Sequence, residues 1–341
     1  MAAARELLER LLEGLDLTQP EAEELLGLLT DGATAPAVIG AVLAALRAKG
    51  AVADEVRGFA EAMRRLARQP ALPAGLRAID IVGTGGDRSG SLNISTGTAL
   101  LTAACGLPVI KHGNRSVSSR AGSADVLEAL GLPMPLDERA AGECLAECGF
   151  TFLFAPHYHA ATQAVAAVRR ALGVRTVFNI LGPLTNPAQP PLRLIGAFSL
   201  PVAQLMADSL AGMRIERAFV IHGAEGWDEP TPVGPFTLFD VRPGQVRREE
   251  RRPEEYGLAR CPSSALAGGD ARHNAEALRA VLRGQAHGAH RDCLLLGAAL
   301  ALEVAGEVGG PLEGIERARH AIDDGAAARV LQSLERVGVG A

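Results

Sequence analysis

The stretch Ala78-Ile79-Asp80-Ile81-Val82-Gly83-Thr84-Gly85-Gly86-Asp87 reads as a short apolar strand running straight into a glycine-rich loop. Three glycines among five residues leave no Cβ atoms in the way, so the backbone can turn tightly and aim successive N–H groups at an anion. After Arg88-Ser89-Gly90-Ser91-Leu92, the segment Asn93-Ile94-Ser95-Thr96 opens an apolar helix expected to run to about Cys105. The free N–H groups and positive dipole end at its start favour phosphate. A second apolar run, Pro108-Val109-Ile110, leads into Lys111-His112-Gly113-Asn114-Arg115, which adds a cation and several donors. Gly122-Ser123-Ala124-Asp125 then opens another helix. Strand, anion loop, helix, strand, cationic loop, helix predicts a site for a phosphorylated ligand.

Outward from this centre, short apolar segments near 78–82, 108–111, 151–155, 193–198 and 217–222 alternate with helical patterns. The alternation predicts an α/β fold with a mainly parallel central sheet covered on both faces. Phe236 to Val241 and Gln245 to Arg251, joined by Arg242-Pro243-Gly244, read as an edge hairpin. Helices are expected over about 271–284, 288–305, 313–322 and 325–336. Upstream, Leu7, Leu8, Leu11 and Leu12, then Leu25, Leu26, Leu28 and Leu29, then Ile39, Val42, Leu43 and Leu46 form three stripes at helical spacing. Thr18 with Pro20 marks a helix start and Gly50 a helix end. A fourth helix carries Arg57, Glu61, Arg64 and Arg65. Residues 1–70 are therefore expected to form a small all-helical domain, and 76–341 a large α/β domain, divided at the Pro/Gly-rich link 69–75.

Composition excludes several classes. The chain is 48% apolar and 21% charged, an ordinary globular balance. Its net charge of −5 argues against nucleic acid as a partner. The apolar runs fall short of the roughly 18 residues that span a bilayer, so no membrane partner is expected. Met1 to Glu13 mixes charges with leucines, unlike a signal peptide. Cys105, Cys144, Cys148, Cys261 and Cys293 are odd in number and lack CxxC spacing, which suits reduced thiols in a cytoplasmic protein. Cys144 and Cys148, one helical turn apart, read as core residues. The arginines of 242–252 are matched by Glu249, Glu250, Glu254 and Glu255, a solvated surface rather than an anion site.

The ordered set GTGGD at 83–87, NIST at 93–96, KHGNRSVSS at 111–119, GSAD at 122–125, Val168-Arg169 before Leu172-Gly173, FNILGPLTNP at 178–187 and Asp228-Glu229 resembles the anthranilate phosphoribosyltransferases. These belong to the nucleoside phosphorylase-like superfamily, and the likeness spans nearly the whole chain. It implies a helical domain completed by helices inserted near 160–185, and a substrate cleft between the two domains. It implies transfer of the phosphoribosyl group of phosphoribosyl pyrophosphate (PRPP) to the amine of anthranilate, with Mg²⁺ as cofactor. Gly83, Thr84, Gly85, Gly86 and Asp87 would surround the pyrophosphate, with Asn93, Ser95 and Thr96 below it. Lys111, Gly113, Asn114 and Ser123 would complete the PRPP site, Lys111 as a point charge on phosphate. The acceptor would lie against Gly83, His112, Asn114 and Arg169, whose planar fork suits a carboxylate. Asp228 and Glu229, with Ser95, would hold Mg²⁺ through oxygen. No nucleophile or base is needed, because an arylamine is neutral at pH 7.

Each residue also has a plainer reading. The glycine loop alone suits a structural turn, Asp-Glu alone a solvated surface, and His112 ordinary packing. Arg115 is expected to tie its loop to neighbouring carboxylates, and Arg170 and Arg175 to be structural. His157-Tyr158-His159 lacks zinc-site spacing. The chain departs from the family at His159-Ala160-Ala161-Thr162-Gln163, where a methionine and a basic residue are usual. It departs again at Arg88, usually small, and at Gly297, commonly asparagine. The departures at 160–163 leave another aromatic acceptor open. A pyrimidine nucleoside phosphorylase would need a further C-terminal domain, and a non-catalytic nucleic-acid-binding relative would sit poorly with the acidic balance. A homodimer through the helical domain is expected, because the bundle holds too few helices to cover all its leucines.

Overall fold

A computed structural model describes residues 2–115 and 120–339. Four helices open the chain: α1 (Ala2–Leu12), α2 (Gln19–Thr30), α3 (Pro36–Lys49) and α4 (Ala53–Leu66). Thr18 caps α2 reciprocally with Glu21, each side chain satisfying a backbone N–H that the helix leaves free. Gly50, with φ of 88°, ends α3.

The α/β part then begins: β1 (Ile79–Gly83), α5 (Ile94–Ala104), β2 (Val109–Gly113), α6 (Ser123–Ala129), α7 (Glu138–Cys148) and β3 (Phe150–Phe154). Three helices return toward the bundle: α8 (Ala155–Tyr158), α9 (Gln163–Leu172) and α10 (Phe178–Leu181). The sheet resumes with β4 (Leu192–Gly196), α11 (Leu200–Ala211), β5 (Arg217–His222) and the hairpin β6 (Phe236–Arg242) and β7 (Gln245–Arg251). Last come α12 (Ala271–Leu282), α13 (Ala289–Val304), α14 (Pro311–Asp323) and α15 (Ala326–Val339).

The seven strands are ordered β3-β2-β1-β4-β5-β6-β7, parallel through β5 and antiparallel in the hairpin. Strand alternation divides the apolar residues between two cores. Ile79, Ile81, Leu192, Leu194, Phe219 and Ile221 face the core that holds α5 and the C-terminal helices. Ile195, Ala218, Val220, Phe239 and Val241 face the other, which is continuous with the N-terminal bundle. The bundle joins that face through α11, which packs on α4, β5 and β6, while α9 packs on α2 and α3.

These extra helices change the account of the leucines. Leu7, Leu11, Leu25, Leu26 and Leu29 are all buried within one chain. The expectation that the bundle could not cover them counted only its own four helices. Leu12 and Leu15 stay exposed at 62% and 49%, and Leu66 at the end of α4 at 42%. Cys144 and Cys148 are buried on α7, as read from their spacing, and all five cysteines are free. No helix among the described residues is long and apolar enough to cross a membrane.

Candidate active site

Strands β1, β2 and β4 end in glycine, and the turn after β5 folds back across the ends of β1 and β4. The approach is so close that a Cβ on Gly196 would overlap the Asp228 carbonyl, and one on Gly83 its carboxylate. Backbone lying on backbone therefore sets where Asp228 and Glu229 stand. Gly223 N–H donates to the Trp227 carbonyl (2.8 Å) and closes the turn.

The glycine loop is tied to this turn. Gly85 N–H donates to Asp228 Oδ2 at 2.5 Å, and the Thr84 hydroxyl approaches the same oxygen at 3.4 Å. Thr84 N–H is held by the Gly196 carbonyl, and Asp228 N–H meets Asp87 Oδ2 at 3.4 Å. The other Asp87 oxygen accepts from Ser89 N–H and Oγ (3.1 and 3.0 Å), which fixes the loop's curl. Glu229 Oε1 accepts from Ser95 N–H at 3.0 Å, at the start of α5. A carboxylate thus already sits on one helix donor expected to face phosphate. Burial, with Asp87 nearby, pushes the Asp228 carboxyl up to about 7. Burial and Asp228 push Glu229 up to about 8, against the pull of Lys111.

Several residues expected at the phosphate turn elsewhere. Lys111 is 1% exposed, and its ammonium lies beneath the site, donating to the Ile81 carbonyl (2.5 Å) and toward Ser95 Oγ (3.3 Å). The point charge expected on phosphate is thus turned inward here, beneath Ser95 and near the two carboxylates. Burial lowers its pKa, opposed by Asp80, Glu229 and Asp228. Thr96 is wholly buried, because it faces the core side of α5 rather than the loop. Asn93 bridges the Ala121 carbonyl (3.2 Å) and Asn274 (2.8 Å). Ser123 Oγ donates to the Asn114 carbonyl at 3.2 Å, joining α6 to the loop after β2. Arg115 pairs with Asp125 and Glu128, the structural tie expected of it, and Arg175 holds the Gly86 carbonyl while stacking on Phe198.

The acceptor residues are assembled differently. Arg169, half-buried on α9, lies over the Phe178 ring at 5.2 Å and has no carboxylate partner among the described residues. His112 is buried and in edge contact with His159. Its Nδ1 meets the Gly182 carbonyl at 3.1 Å. A carbonyl only accepts, so Nδ1 carries the proton and Nε2 is an acceptor. Burial holds His112 down at about 3 and His159 at about 4, so both rings are neutral.

Sequence reasoning missed the strap beneath these histidines. Four consecutive carbonyls are gripped from four sides: Gly182 by His112, Pro183 by Arg193 Nη1 (3.4 Å), Leu184 by Arg64 Nε (3.1 Å) and Thr185 by His159 Nε2 (3.1 Å). Asn186 then donates to buried Asp80 (2.9 Å) and to the Ile110 carbonyl (2.8 Å). Arg193 is fully buried, and burial lowers its pKa to about 9, aided by Arg64 and opposed by Asp80. The sequence signal was a charge inside an apolar strand: Asp80 between Ile79 and Ile81, and Arg193 between Leu192 and Leu194.

The departures are modest in structure. Ala160–Thr162 is a single 3-10 turn, Thr162 Oγ1 caps the His159 carbonyl, and Gln163 is exposed at the start of α9. Gly297 on α13 faces Thr98, whose side chain any Cβ would overlap.

Family models agree with this architecture. The glycosyl transferase family helical bundle domain matches residues 5–67, and the a/b domain of that family matches residues 75–328. A relative from Desulforudis audaxviator, an anthranilate phosphoribosyltransferase, is 48% identical over 97% of this chain and 95% of its own length. The Rubrobacter xylanophilus enzyme of the same name is 44% identical over 98% and 97%. Among solved structures, anthranilate phosphoribosyltransferase from Thermus thermophilus superposes with a TM-score of 0.90 at 40% identity, covering 97% of this chain and 99% of that one. The Saccharomyces cerevisiae enzyme in complex with PRPP and Mg gives 0.89 at 27% identity, covering 100% and 99%. The chain belongs to the anthranilate phosphoribosyltransferase family. The departures at Ala160, Thr162 and Gln163 do not remove it from that family.

Proposed function

We propose that the cleft between the bundle and the strand ends transfers the phosphoribosyl group of PRPP to the amine of anthranilate, a step of tryptophan biosynthesis, in the cytoplasm. The observation that carries this reading is the pairing of two unlike sites. One is an acidic turn pressed onto a glycine loop. The other is a half-buried guanidinium, set over a ring and without a counter-ion among the described residues. Arg169 orients the anthranilate carboxylate, and its neutral neighbour His112 offers an acceptor nitrogen. Asn114 and Gly83 lie at the join between sugar and acceptor. The 83–87 loop and Ser123 bind the diphosphate, while Lys111 steadies the acidic pair from beneath.

Asp228, Glu229 and the Ser95 hydroxyl are the residues to hold Mg²⁺. Their donors are all oxygen, as that ion demands. Among the described residues no three His, Cys, Asp or Glu side chains gather to hold a metal alone. When bound, the ion supplies charge to a leaving pyrophosphate. The protein's own work is to align a neutral amine with the sugar carbon and exclude water.

Pyrophosphate release from PRPP, measured with anthranilate and with a panel of other aromatic acids, tests the reading. Release with anthranilate and Mg²⁺, abolished by chelator, is expected. Release with another acid but not with anthranilate would overturn the acceptor. The dimer we propose rests on Leu12 and Leu15, and sedimentation as a monomer at micromolar concentration would end it.

A further inference from the structure

Arg88 has a backbone φ of 63°, in the left-handed region that L side chains rarely adopt. Clamps on both sides impose it. Upstream, Arg175 holds the Gly86 carbonyl, and Asp87 is locked by Ser89. Downstream, Gly268 N–H holds the Gly90 carbonyl at 2.9 Å, and Leu92 N–H is held by the Leu266 carbonyl at 3.0 Å. Glycine would fit this position without strain, and glycines flank the loop at Gly85, Gly86 and Gly90, all at positive φ. A long charged side chain has instead been kept at a conformationally costly place.

Three cations of the neighbouring segments are committed elsewhere. Lys111 is buried under Ser95, Arg115 is held by Asp125 and Glu128, and Arg175 is folded against Phe198 and Gly86. Arg88 is exposed, and among the described residues it has no hydrogen-bond, ionic or ring partner. The three carboxylates of Asp87, Asp228 and Glu229 make this mouth acidic. A ligand with several negative charges needs a positive group at the rim as well as one behind.

We infer that Arg88 is a diphosphate-binding residue, a guanidinium carried on the glycine loop that closes on the phosphates of the donor substrate. The inference rests on the proposed function, since it assumes that the loop receives a diphosphate. A planar fork can take two phosphate oxygens at once, which a backbone nest cannot add to itself. An exposed cation also raises the encounter rate of an anion, an effect that salt screens.

The test uses calorimetric binding of inorganic pyrophosphate with Mg²⁺ to the full-length wild type, Arg88→Gly and Arg88→Lys, at low and moderate salt. Losing a charge-assisted contact should weaken pyrophosphate about tenfold or more in Arg88→Gly. Arg88→Lys should retain affinity to within about threefold, and the KM for anthranilate should move little in either. The melting temperature of Arg88→Gly should not fall, because relief of the left-handed strain offsets the freer unfolded chain. A weaker ligand site in an equally stable protein is not what a structural residue gives. Equal pyrophosphate affinity in wild type and Arg88→Gly, with wild type binding well, would overturn the role of Arg88 alone. Failure of wild type to bind pyrophosphate with Mg²⁺ would overturn the loop's assignment, and this inference with it.

Discussion

The two ends of the proposed site, one for phosphate and one for the acceptor, are built on different principles. At the phosphate end, position comes from the main chain: strand termini, a turn laid across them, and loop N–H groups fixed on carboxylates. At the acceptor end, position comes from side chains. One guanidinium stands on a ring, and that ring opens a segment gripped by two arginines and two histidines. A backbone-built site tolerates almost no change where chains touch, whereas a side-chain-built site can be retuned residue by residue. The first suits a charged group common to many reactions, the second a ligand that distinguishes one reaction from another.

Gly196→Ala should have the largest effect. Its new Cβ would meet a main-chain carbonyl that cannot yield without moving the acidic turn. We expect a loss of about 3 kcal/mol or more in stability together with the Mg²⁺ response. Thermal unfolding with and without Mg²⁺ checks this, and an unperturbed variant would break the claim that backbone contact sets this end.

Asp228→Asn with Glu229→Gln should slow turnover by on the order of 10²-fold or more and blunt the metal response. The same pair predicts a pH effect. Their folded-state pKa values are raised to about 7 and about 8, so the native state favours the protonated forms. The stabilisation is complete below the ordinary carboxylate range, about pH 4, and is lost progressively as pH rises from there to about 8. In chelator, the melting temperature should decline across that window. Excess Mg²⁺ should flatten the decline, and the double variant should lack it. A flat wild-type profile in chelator would show that the carboxylates are compensated in some other way.

Arg169→Ala should weaken anthranilate by roughly ten- to 150-fold, or about 1.5–3 kcal/mol, and leave the KM for PRPP nearly unmoved. Steady-state kinetics in both substrates reads this directly. A rise in the PRPP KM instead would blur the division between the two ends.

The smallest effect is expected at Gln163. Exposed at the start of α9, it can touch the acceptor only through long-range steering. Gln163→Lys should raise kcat/KM for anthranilate modestly at low salt and not at high salt. Identical kinetics at both would mark the segment as ordinary surface.

Legibility in the sequence followed the same division. Glycines after short apolar runs betrayed the close-packed loop and turn at the strand ends, because only close backbone approach demands so many of them in register. The strands and the C-terminal helices came from periodicity alone, to within a few residues. Lys111 was found but not its direction, since facing the ligand or the layer beneath depends on how β2 pairs with β1. Thr96 is buried for the same kind of reason, one step of helical phase away from the loop side. The strap at 182–186 was not read as such, because its grip joins residues scattered along the chain, from Arg193 on Pro183, 10 positions away, to Arg64 on Leu184, 120 away. What could have flagged it was the charge of Asp80 and of Arg193 within strands otherwise made of isoleucine and leucine.

That strap also constrains how the two parts of the molecule can move. Arg64 grips it from the bundle, His112 and Arg193 grip it from the sheet, and its own Asn186 donates to Asp80 on β1. Sliding the parts past one another would break several buried polar contacts, each worth about 1–3 kcal/mol once its water is gone. Turning them about the strap would still strain the packing of α4 on α11 and the Arg57 contact to the Asp208 carbonyl. The strap is therefore a rivet through both parts, not a joint between them.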